Sequence, residues 1–400
     1  MQVLRNDNCS GCGGCALVSD RITIGLAEDS YMRPALAARG PTETRAKSKI
    51  EADRFKAMCP GIRVSAPTKH PNQHSDDTFG SYSSAWVGWA MDPEIRLAGS
   101  SAGVITAFTN WLVETKRVDA VVASQEDPNN PRITVPLKIL SRDDAMKAAG
   151  SRYAPVANLP MVAPSDFARH ALVGKPCEAT ALTQLSNALS IPEENRPITV
   201  SFFCAGTPRQ SATDGLADLL DASSDQIKSL RYRGDGWPGT FKITLKTGEF
   251  RTMSYDESWG THLGRTVQWR CKLCVDGTGG HADIAVGDYW EVDSKGYPAF
   301  ENADGRSVVI ARTPRGEELL AEATRDGALS LSPLDLKLVA AVQPLQVDRK
   351  FTLAARLLGR TLAGKRTPRY SGYGLARLSL TTKSSLKAAA GTFVRTRQGR

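Results

Sequence analysis

Three of the eight cysteines stand close together near the start of the sequence. Cys9, Cys12 and Cys15 are each separated from the next by two small residues, serine or glycine. Small residues let the backbone wrap an inorganic cube with its N–H groups directed at the sulfides, which is how a 4Fe-4S cluster is held. This spacing therefore predicts three ligands of a 4Fe-4S cluster.

The fourth ligand of this group is predicted to be Cys59. In the cysteine runs of bacterial ferredoxins, the fourth cysteine follows the third after three residues and precedes a proline. Here the corresponding position is Ser19, whereas Cys59 directly precedes Pro60. A zinc knuckle is the alternative, and it is less favoured because zinc sites usually pair two C-x-x-C hooks.

The other four cysteines are predicted to ligate a second 4Fe-4S cluster. Cys271 and Cys274 form one C-x-x-C hook, and Cys177 and Cys204 each follow a short apolar run. Single cysteines at strand ends are more often inert core thiols, but four thiols are again the number that a 4Fe-4S cluster needs. A zinc site and a redox dithiol stay open as alternatives for this group.

A turn of small residues is a weaker signal. Gly99-Ser-Ser-Ala-Gly103 directly precedes a stretch with helical periodicity, and such a turn at a helix N-terminus is suited to phosphate. By itself, a plain helix cap is the more common explanation. G-x-x-x-x-G-K-[ST] is absent, and the single G-x-G-x-x-G spacing, Gly234 to Gly239, precedes a strand pattern and not a helix, so nucleotide hydrolysis and an ordinary Rossmann site have no support. The five histidines form no metal-ligand spacing and are not predicted to be catalytic.

The elements that must position these residues divide the chain into four parts. Residues 1–62 are predicted to be a ferredoxin-like iron–sulfur head, 63–80 a polar linker, 81–335 an α/β domain and 336–400 a basic C-terminal extension. In the third part, helical patterns alternate with short apolar strand patterns, which indicates a mostly parallel sheet. The predicted fold class is α/β with α+β elements.

Two of the predicted strands indicate where the single cysteines Cys177 and Cys204 lie in the fold. Residues 171–173 and 198–203 have strand patterns, and Cys177 and Cys204 follow them closely. If the two strands are parallel, both cysteines emerge at the carboxyl edge of one sheet, where open α/β folds bind ligands.

The charge of the chain is concentrated at its end. Residues 351–400 contain eleven Lys or Arg and no Asp or Glu, and removing these eleven from the net charge of +9 leaves −2 for the rest. Either this tail docks on an acidic protein or a membrane surface, or it is a solvated and partly disordered end. Nucleic-acid binding is not predicted, because aromatic residues are not regularly interleaved with the basic ones. No secretory signal and no membrane-spanning run is present, so the protein is predicted to be cytoplasmic.

Nine motifs occur in the order found in one family. They are Cys9-x-x-Cys12-Gly-Gly-Cys15, Ser100-Ser-Ala-Gly-Val-Ile-Thr106, Val118-Asp-Ala-Val-Val122, Gly150-Ser-Arg-Tyr-Ala-Pro155, Val173-Gly-Lys-Pro-Cys177, Phe203-Cys-Ala-Gly206, Tyr232-Arg-Gly-Asp-Gly-Trp-Pro-Gly239, Cys271-x-x-Cys274-x-Asp276 and Ala282-Asp-Ile-Ala-Val-Gly-Asp288-Tyr-Trp. On these motifs the chain resembles the beta-subunit family of coenzyme F420 hydrogenases and dehydrogenases. Relatives of that family include chlorophyll-pathway reductases and members encoded near polysaccharide genes.

The resemblance implies FAD and 4Fe-4S clusters as cofactors. Three positions depart from the family pattern: Ala102 stands where a second Gly is usual, Arg152 where Lys is usual, and the fourth head cysteine is displaced to Cys59. The positions that match FAD-contacting segments or the pocket are Ser100, Ser101, Gly103, Thr106, Ser151, Arg152, Tyr153, Lys175 and Asp288.

The expected function follows from the cofactors. A flavin accepts a hydride as an electron pair and releases single electrons, so it suits a position between a hydride-carrying substrate and iron–sulfur clusters. We expect an oxidoreductase or electron-transfer subunit that works with coenzyme F420 or an analogous compound, and with ferredoxin or a redox partner subunit. A ferredoxin-dependent reductase of a tetrapyrrole or polysaccharide-pathway intermediate is one alternative. A non-catalytic binding protein stabilised by zinc is an alternative from another class.

Overall fold

The computed structural model describes residues 2–38, 44–289 and 304–399, and its first part is the cysteine-bearing head. The head elements are α1 (Gln2–Arg5), β1 (Ile22–Leu26), β2 (Met32–Leu36) and α2 (Arg45–Met58). β1 and β2 pair as an antiparallel hairpin. α2 begins at the cap Thr44, whose side chain accepts a hydrogen bond from the Lys47 N–H, and its last residue directly precedes Cys59.

Three short strands follow the head: β3 (Arg63–Ser65), β4 (His74–Asp76) and β5 (Gly80–Tyr82). β4 and β5 form a small antiparallel pair. The segment that the sequence pattern suggests as a linker therefore contains regular structure.

The central domain comes next. Its first elements are β6 (Ser84–Ala90), α3 (Pro93–Ala98), α4 (Val104–Glu114), β7 (Ala120–Asp127), β8 (Asn130–Ile139), α5 (Arg142–Lys147), β9 (His170–Gly174), α6 (Pro176–Ala188), β10 (Ile198–Phe202) and α7 (Gln210–Leu219). They are followed by β11 (Ile227–Arg231), β12 (Thr240–Leu245), β13 (Phe250–Ser254), α8 (Trp269–Lys272), β14 (Ile284–Tyr289), β15 (Arg306–Ala311), α9 (Pro314–Arg325) and β16 (Leu329–Pro333).

Eight of these strands form one mixed sheet in the order β16-β6-β15-β14-β10-β9-β7-β8. β14, β10, β9 and β7 are parallel neighbours, whereas β8, β15, β6 and β16 pair antiparallel. The predicted α/β class is confirmed. β9 and β10 are adjacent and parallel, so Cys177 and Cys204 follow strands that end at the same edge of the sheet.

Helices cover both faces of the sheet because alternate strand residues point to opposite sides. In β9, Ala171 and Val173 pack in one apolar cluster with Phe108 and Leu112 of α4. Leu172 packs in a second cluster, which combines α6 with the head residues Cys12, Val18 and Met58. The head therefore shares a core with the central domain.

The basic C-terminal extension is folded. Its elements are α10 (Leu336–Val342), α11 (Pro344–Leu362), β17 (Arg369–Ser371), α12 (Leu375–Leu380) and α13 (Ser384–Arg397). β17 pairs in parallel with β3, and α11 buries Arg349, Leu353 and Arg360. The alternative of a solvated and partly disordered end is thus wrong for residues 351–399. Among the described helices, none has both the length and the apolar character needed to cross a membrane.

Candidate functional site: a cavity beside eight thiols

A cavity of about 350 Å³ lies at the carboxyl ends of β7, β9, β10 and β14. Its volume is within the range of small-molecule sites. All nine residues predicted to contact a flavin line this cavity: Ser100, Ser101, Gly103, Thr106, Ser151, Arg152, Tyr153, Lys175 and Asp288. Residues separated by almost 190 positions in the sequence are therefore brought together at one place.

The small-residue turn forms one wall of the cavity at the start of α4. Gly103 has φ +69°, and a Cβ on it would lie 2.6 Å from the Ile95 carbonyl oxygen. A side chain at Gly99 would likewise collide with the Gly103 backbone at 2.6 Å. The hydroxyls of Ser100 and Ser151 are 2.7 Å apart. The glycines thus give a close backbone approach, and the two serines present hydroxyl groups to the cavity.

Lys175 is a buried cation of this site. Its Nζ lies 3.0 Å from the Glu178 carboxylate and donates a 2.7 Å hydrogen bond to the Val156 carbonyl. Burial opposes the charge of Lys175, but the Glu178 carboxylate together with Cys177 and Cys204 outweighs it and raises the pKa of the lysine. The residue therefore brings a fixed positive charge to the cavity wall.

Arg152 lines the cavity, but its guanidinium hydrogen bonds are directed into the protein. It donates to the Thr134 hydroxyl at 3.0 Å and to the Leu230 carbonyl at 2.6 Å. It also donates to the carbonyls of Pro131 and Ile133 at 3.0 and 3.1 Å. These contacts hold β8 to β11 beside the cavity.

Arg233 is a cavity residue for which the sequence predicted no role. Its guanidinium is 1% exposed and lies 2.6 Å from the Asp288 carboxylate. It also donates to the Ser100 carbonyl. Burial opposes its charge, but Asp288 raises the pKa of Arg233, so the group stays protonated. The sequence contained an indication of Arg233, because this residue lies in the motif Tyr232-Arg-Gly-Asp-Gly, one of those on which the family resemblance rests.

Aromatic side chains form another wall. Tyr153 and Trp259 have ring centroids 5.0 Å apart, and Tyr153 and Tyr255 are 6.3 Å apart. Trp259 lies on a π-helical turn, Asp256–His262, which has no recognisable sequence signature. Burial raises the pKa of Tyr255, so its hydroxyl stays neutral. This wall is suited to packing against a planar ring.

Four of the thiols, which we call the head set, gather beside the shared core: Cys9, Cys12, Cys15 and Cys59. Burial raises the pKa of Cys59 to about 12, and the neighbouring Cys12 and Cys9 add to the shift. The backbone is tightly packed here. A Cβ on Gly13, which has φ +80°, would lie 2.7 Å from Pro160 Cδ. The structure therefore brings these four cysteines close together.

The other four thiols, which we call the edge set, come from three separate segments of the chain near the carboxyl edge of the sheet. They are Cys177, Cys204, Cys271 and Cys274. Burial raises the pKa of Cys204 to about 12, and Cys271 contributes to that shift. Gly206 has φ +132°, and a Cβ on it would lie 3.1 Å from Cys271 Cβ. Cys204 also lines the cavity, so the cavity and the edge set share a residue.

The two sets are close neighbours. Burial raises the pKa of the Cys177 thiol, with Cys12 of the head set among the contributors. Arg270 lies between the sets, is buried, and donates a 3.1 Å hydrogen bond to the Pro60 carbonyl next to Cys59. Its positive charge acts on Cys59 and interacts with Cys274, Cys177 and Cys271.

The C-terminal extension holds the edge set from outside. Arg349 donates a 2.8 Å hydrogen bond to the Cys204 carbonyl. Lys350 donates at 3.3 Å to the Val275 carbonyl, and Tyr370 donates to the Leu273 carbonyl. The sequence did not predict this contact between the extension and the cysteine loops.

All eight cysteines are free thiols. Within residues 2–38, 44–289 and 304–399, no group of three or more His, Cys, Asp or Glu side chains is compact enough to hold a single metal ion.

Comparison with known proteins identifies the family of the chain. A family model described as "Coenzyme F420 hydrogenase/dehydrogenase, beta subunit N-term" matches residues 85–163. The family model for the C-terminal part of the same beta subunit matches residues 167–337. The chain belongs to the coenzyme F420 hydrogenase/dehydrogenase beta-subunit family. Its C-terminal extension after residue 337 lies outside both matches.

Individual relatives are distant. Coenzyme F420 hydrogenase subunit beta of Methanococcus voltae is 25% identical over 64% of this chain and 86% of that protein. F420-dependent formate dehydrogenase 1 subunit beta of Methanococcus maripaludis is 24% identical over 64% of this chain and 63% of that protein. The chloroplastic 7-hydroxymethyl chlorophyll a reductase of Oryza sativa is 25% identical over 54% of this chain and 45% of the reductase.

A solved structure supports the fold. A chain of the F420-reducing [NiFe] hydrogenase complex from Methanosarcina barkeri aligns with a TM-score of 0.55 at 20% identity. The alignment covers 76% of this chain and 99% of the hydrogenase chain. This likeness concerns the fold alone.

Proposed function

We propose that the chain is a flavin- and iron–sulfur-dependent oxidoreductase subunit. It moves electrons between a hydride-carrying substrate, FAD in the cavity and two 4Fe-4S clusters, and then to or from a partner. The observation that carries this proposal is the position of Cys204, which belongs both to the cavity wall and to the edge set.

The cavity residues fit a flavin in several respects. The close backbone approach at Gly99 and Gly103 leaves N–H groups accessible to a phosphate or ring oxygen, and the aromatic wall suits a planar ring. Lys175 and Arg233 supply buried cationic groups, each paired with a carboxylate. A flavin bound there supplies the exchange between electron pairs and single electrons.

The thiols fit two clusters. Each set supplies four sulfurs, which is the number that a 4Fe-4S cluster takes. Clusters ligated by the two sets supply one-electron carriers, and Arg270 between the sets offsets the negative charge of the thiolates. The order cavity, edge set, head set is supported by the position of Cys204 in the cavity wall and by the electrostatic interaction between Cys177 and Cys12.

The substrate class comes from the relatives. Several of them bear the name of coenzyme F420, so coenzyme F420 or an analogous hydride carrier is the first candidate. The likeness to 7-hydroxymethyl chlorophyll a reductase favours a second candidate, a ferredoxin-dependent reductase of a tetrapyrrole. The one-electron partner is ferredoxin or a second redox subunit, as in the hydrogenase relatives, which are named as subunits.

Anaerobic purification tests the proposal. We expect brown protein with about eight iron atoms, about eight acid-labile sulfides and one FAD per chain. Addition of reduced coenzyme F420 should bleach the flavin absorbance and generate electron paramagnetic resonance signals of reduced clusters. Colourless protein containing zinc but no iron and no flavin would instead support the structural-zinc alternative.

A further inference from the structure

Basic side chains meet at the surface beside the Cys271 hook. Arg209 precedes α7, Lys272 is the last residue of α8, and Arg395 lies near the end of α13. Arg209 and Arg395 are exposed, and Lys272 is partly exposed. We call these three residues the hook patch.

Packing of the extension brings α13 to the hook. Thr396 of α13 accepts a 3.3 Å hydrogen bond from Arg360. The Arg360 guanidinium stacks 4.0 Å from the centre of the Trp269 ring, and Lys272 Nζ lies 5.1 Å from the centre of the same ring. Arg395 is therefore held near Lys272 by contacts within the fold.

The hook patch is not neutralised by the rest of the described chain. Arg360 is paired with Asp7 at 2.8 Å, so it is not counted in the patch. Among the described residues, Arg209, Lys272 and Arg395 have no carboxylate within ion-pairing distance. Arg209 is held beside α8, because its backbone N–H donates a 3.3 Å hydrogen bond to the Thr266 hydroxyl and the Gln268 N–H donates a 3.1 Å hydrogen bond to the Thr207 carbonyl. Three cations without a carboxylate partner thus lie on neighbouring segments, and an anionic surface placed against them would be attracted.

We propose that the hook patch is the docking surface for an acidic protein that carries one electron at a time. This inference rests on the proposed function, because the carrier must reach the edge-set cluster beside Cys271. The step transfers one electron between the reduced carrier and the oxidised cluster, in either direction, and no bond or proton changes. Electron transfer slows steeply with distance, so a carrier gains most by docking directly over the hook.

An acidic protein suits the patch better than an anionic membrane. The three cations come from three segments distant in sequence, and the fold brings these segments together beside the Cys271 hook. A membrane would instead be met by the exposed apolar side chains of the extension, such as Leu380 and Leu386, which are 89% and 84% exposed. Complementary charge at a defined place mainly raises association rates and falls with salt.

Charge reversal at Arg395 tests the proposal. The purified holoprotein is reacted by stopped flow with an acidic [2Fe-2S] ferredoxin and, separately, with methyl viologen, at low and at high salt. Arg395→Glu is expected to lower the second-order rate constant with the ferredoxin about tenfold at low salt, and less at high salt. Arg395→Lys should retain most of the rate. The rate with methyl viologen should not fall in either variant.

The matched control is Arg325→Glu, which makes the same charge change on α9. Arg325 precedes Asp326, whose carboxylate accepts a hydrogen bond from Trp111 in the last turn of α4, at the other end of that helix from the cavity. Equal ferredoxin rates for Arg395→Glu and Arg325→Glu would overturn the docking surface. A membrane surface would replace the acidic protein as the partner if two results were found together. Phosphatidylserine vesicles would bind the wild type but not Arg395→Glu, and the rate constant with the ferredoxin would be the same for both. A sample that exchanges electrons with neither reagent would instead contradict the proposed function itself.

Discussion

The two cysteine sets are held in different ways. In the head set, three of four cysteines come from one seven-residue run, and glycines such as Gly13 permit the close packing around them. In the edge set, the cysteines come from segments almost 100 residues apart, and side chains of the extension bind the backbone of their loops. One set depends on local chain geometry, and the other depends on the assembled fold.

The difference has a consequence for mutation. The head set should be sensitive to changes within its own run and tolerant of changes far away. The edge set should respond to substitutions on α11, although α11 lies outside the residues matched by the family. The two sets also differ in position, because only the edge set contributes a residue to the cavity wall.

The largest expected effect is the loss of a ligand from one set. Cys204→Ala should remove about four of the eight iron atoms and leave the flavin bound. Because the edge set lies between the cavity and the head set, reduction of the remaining head cluster by the hydride donor should slow more than about tenfold. Iron and sulfide analysis, together with rapid-freeze electron paramagnetic resonance, measures both results.

The matched variant for this experiment is Cys59→Ala in the head set. It should lose a similar amount of iron, but the edge-set cluster should still be reduced by the hydride donor at close to the wild-type rate. If the two variants slowed that step equally, the order cavity, edge set, head set would be contradicted.

A smaller effect is expected when the backbone of the segment Cys9–Cys15, which we call the head run, is strained. Gly13→Ala places a methyl group 2.7 Å from Pro160 Cδ at φ +80°. We expect the free energy of unfolding to fall by about 2–3 kcal/mol, and iron to be lost from the head set before the edge set. Anaerobic denaturant titration followed by circular dichroism measures the first quantity.

Gly248→Ala is the control for that substitution. Gly248 has φ +91°, but a Cβ on it would meet no atom within 4 Å. The control should therefore show only the cost of the positive φ, about 1 kcal/mol. Equal destabilisation by the two variants would show that the contact with Pro160 does not constrain the head run.

The sequence predicted those parts of the site that depend on local patterns. The strand patterns before Cys177 and Cys204 correctly predicted two strands, β9 and β10, which are adjacent and parallel. The helix after Gly103 was also predicted, and it runs from Val104 to Glu114. These predictions succeeded because apolar periodicity and glycine turns are properties of short segments.

The parts that the sequence did not predict depend on contacts between distant segments. Arg349 follows Cys204 by 145 positions, and an arginine within a helical pattern is normally a solvated residue. Trp259 reaches the cavity from a π-helical turn, which apolar periodicity does not identify. The basic end was open to two interpretations because charge alone does not indicate whether a helix packs on the core. The placement of the cofactors on these residues stays a prediction.

The smallest expected effect is a change in redox potential when Arg349 loses its charge. The Arg349 guanidinium donates to the Cys204 carbonyl and favours the anionic form of the Cys204 thiol. Because reduction adds negative charge to a cluster, Arg349→Gln should lower the midpoint potential of the edge-set cluster by roughly tens of millivolts. The head-set cluster should be unaffected, since its ligands make no contact with α11 through this residue. Arg356→Gln on the same helix is the control, because Arg356 bonds within α11 to Thr352 and Asp348. Potentiometric titration with electron paramagnetic resonance detection measures the midpoint potentials of the two clusters separately. A shift in the potentials of both clusters, or of neither, would contradict the idea that the extension acts on the edge set alone.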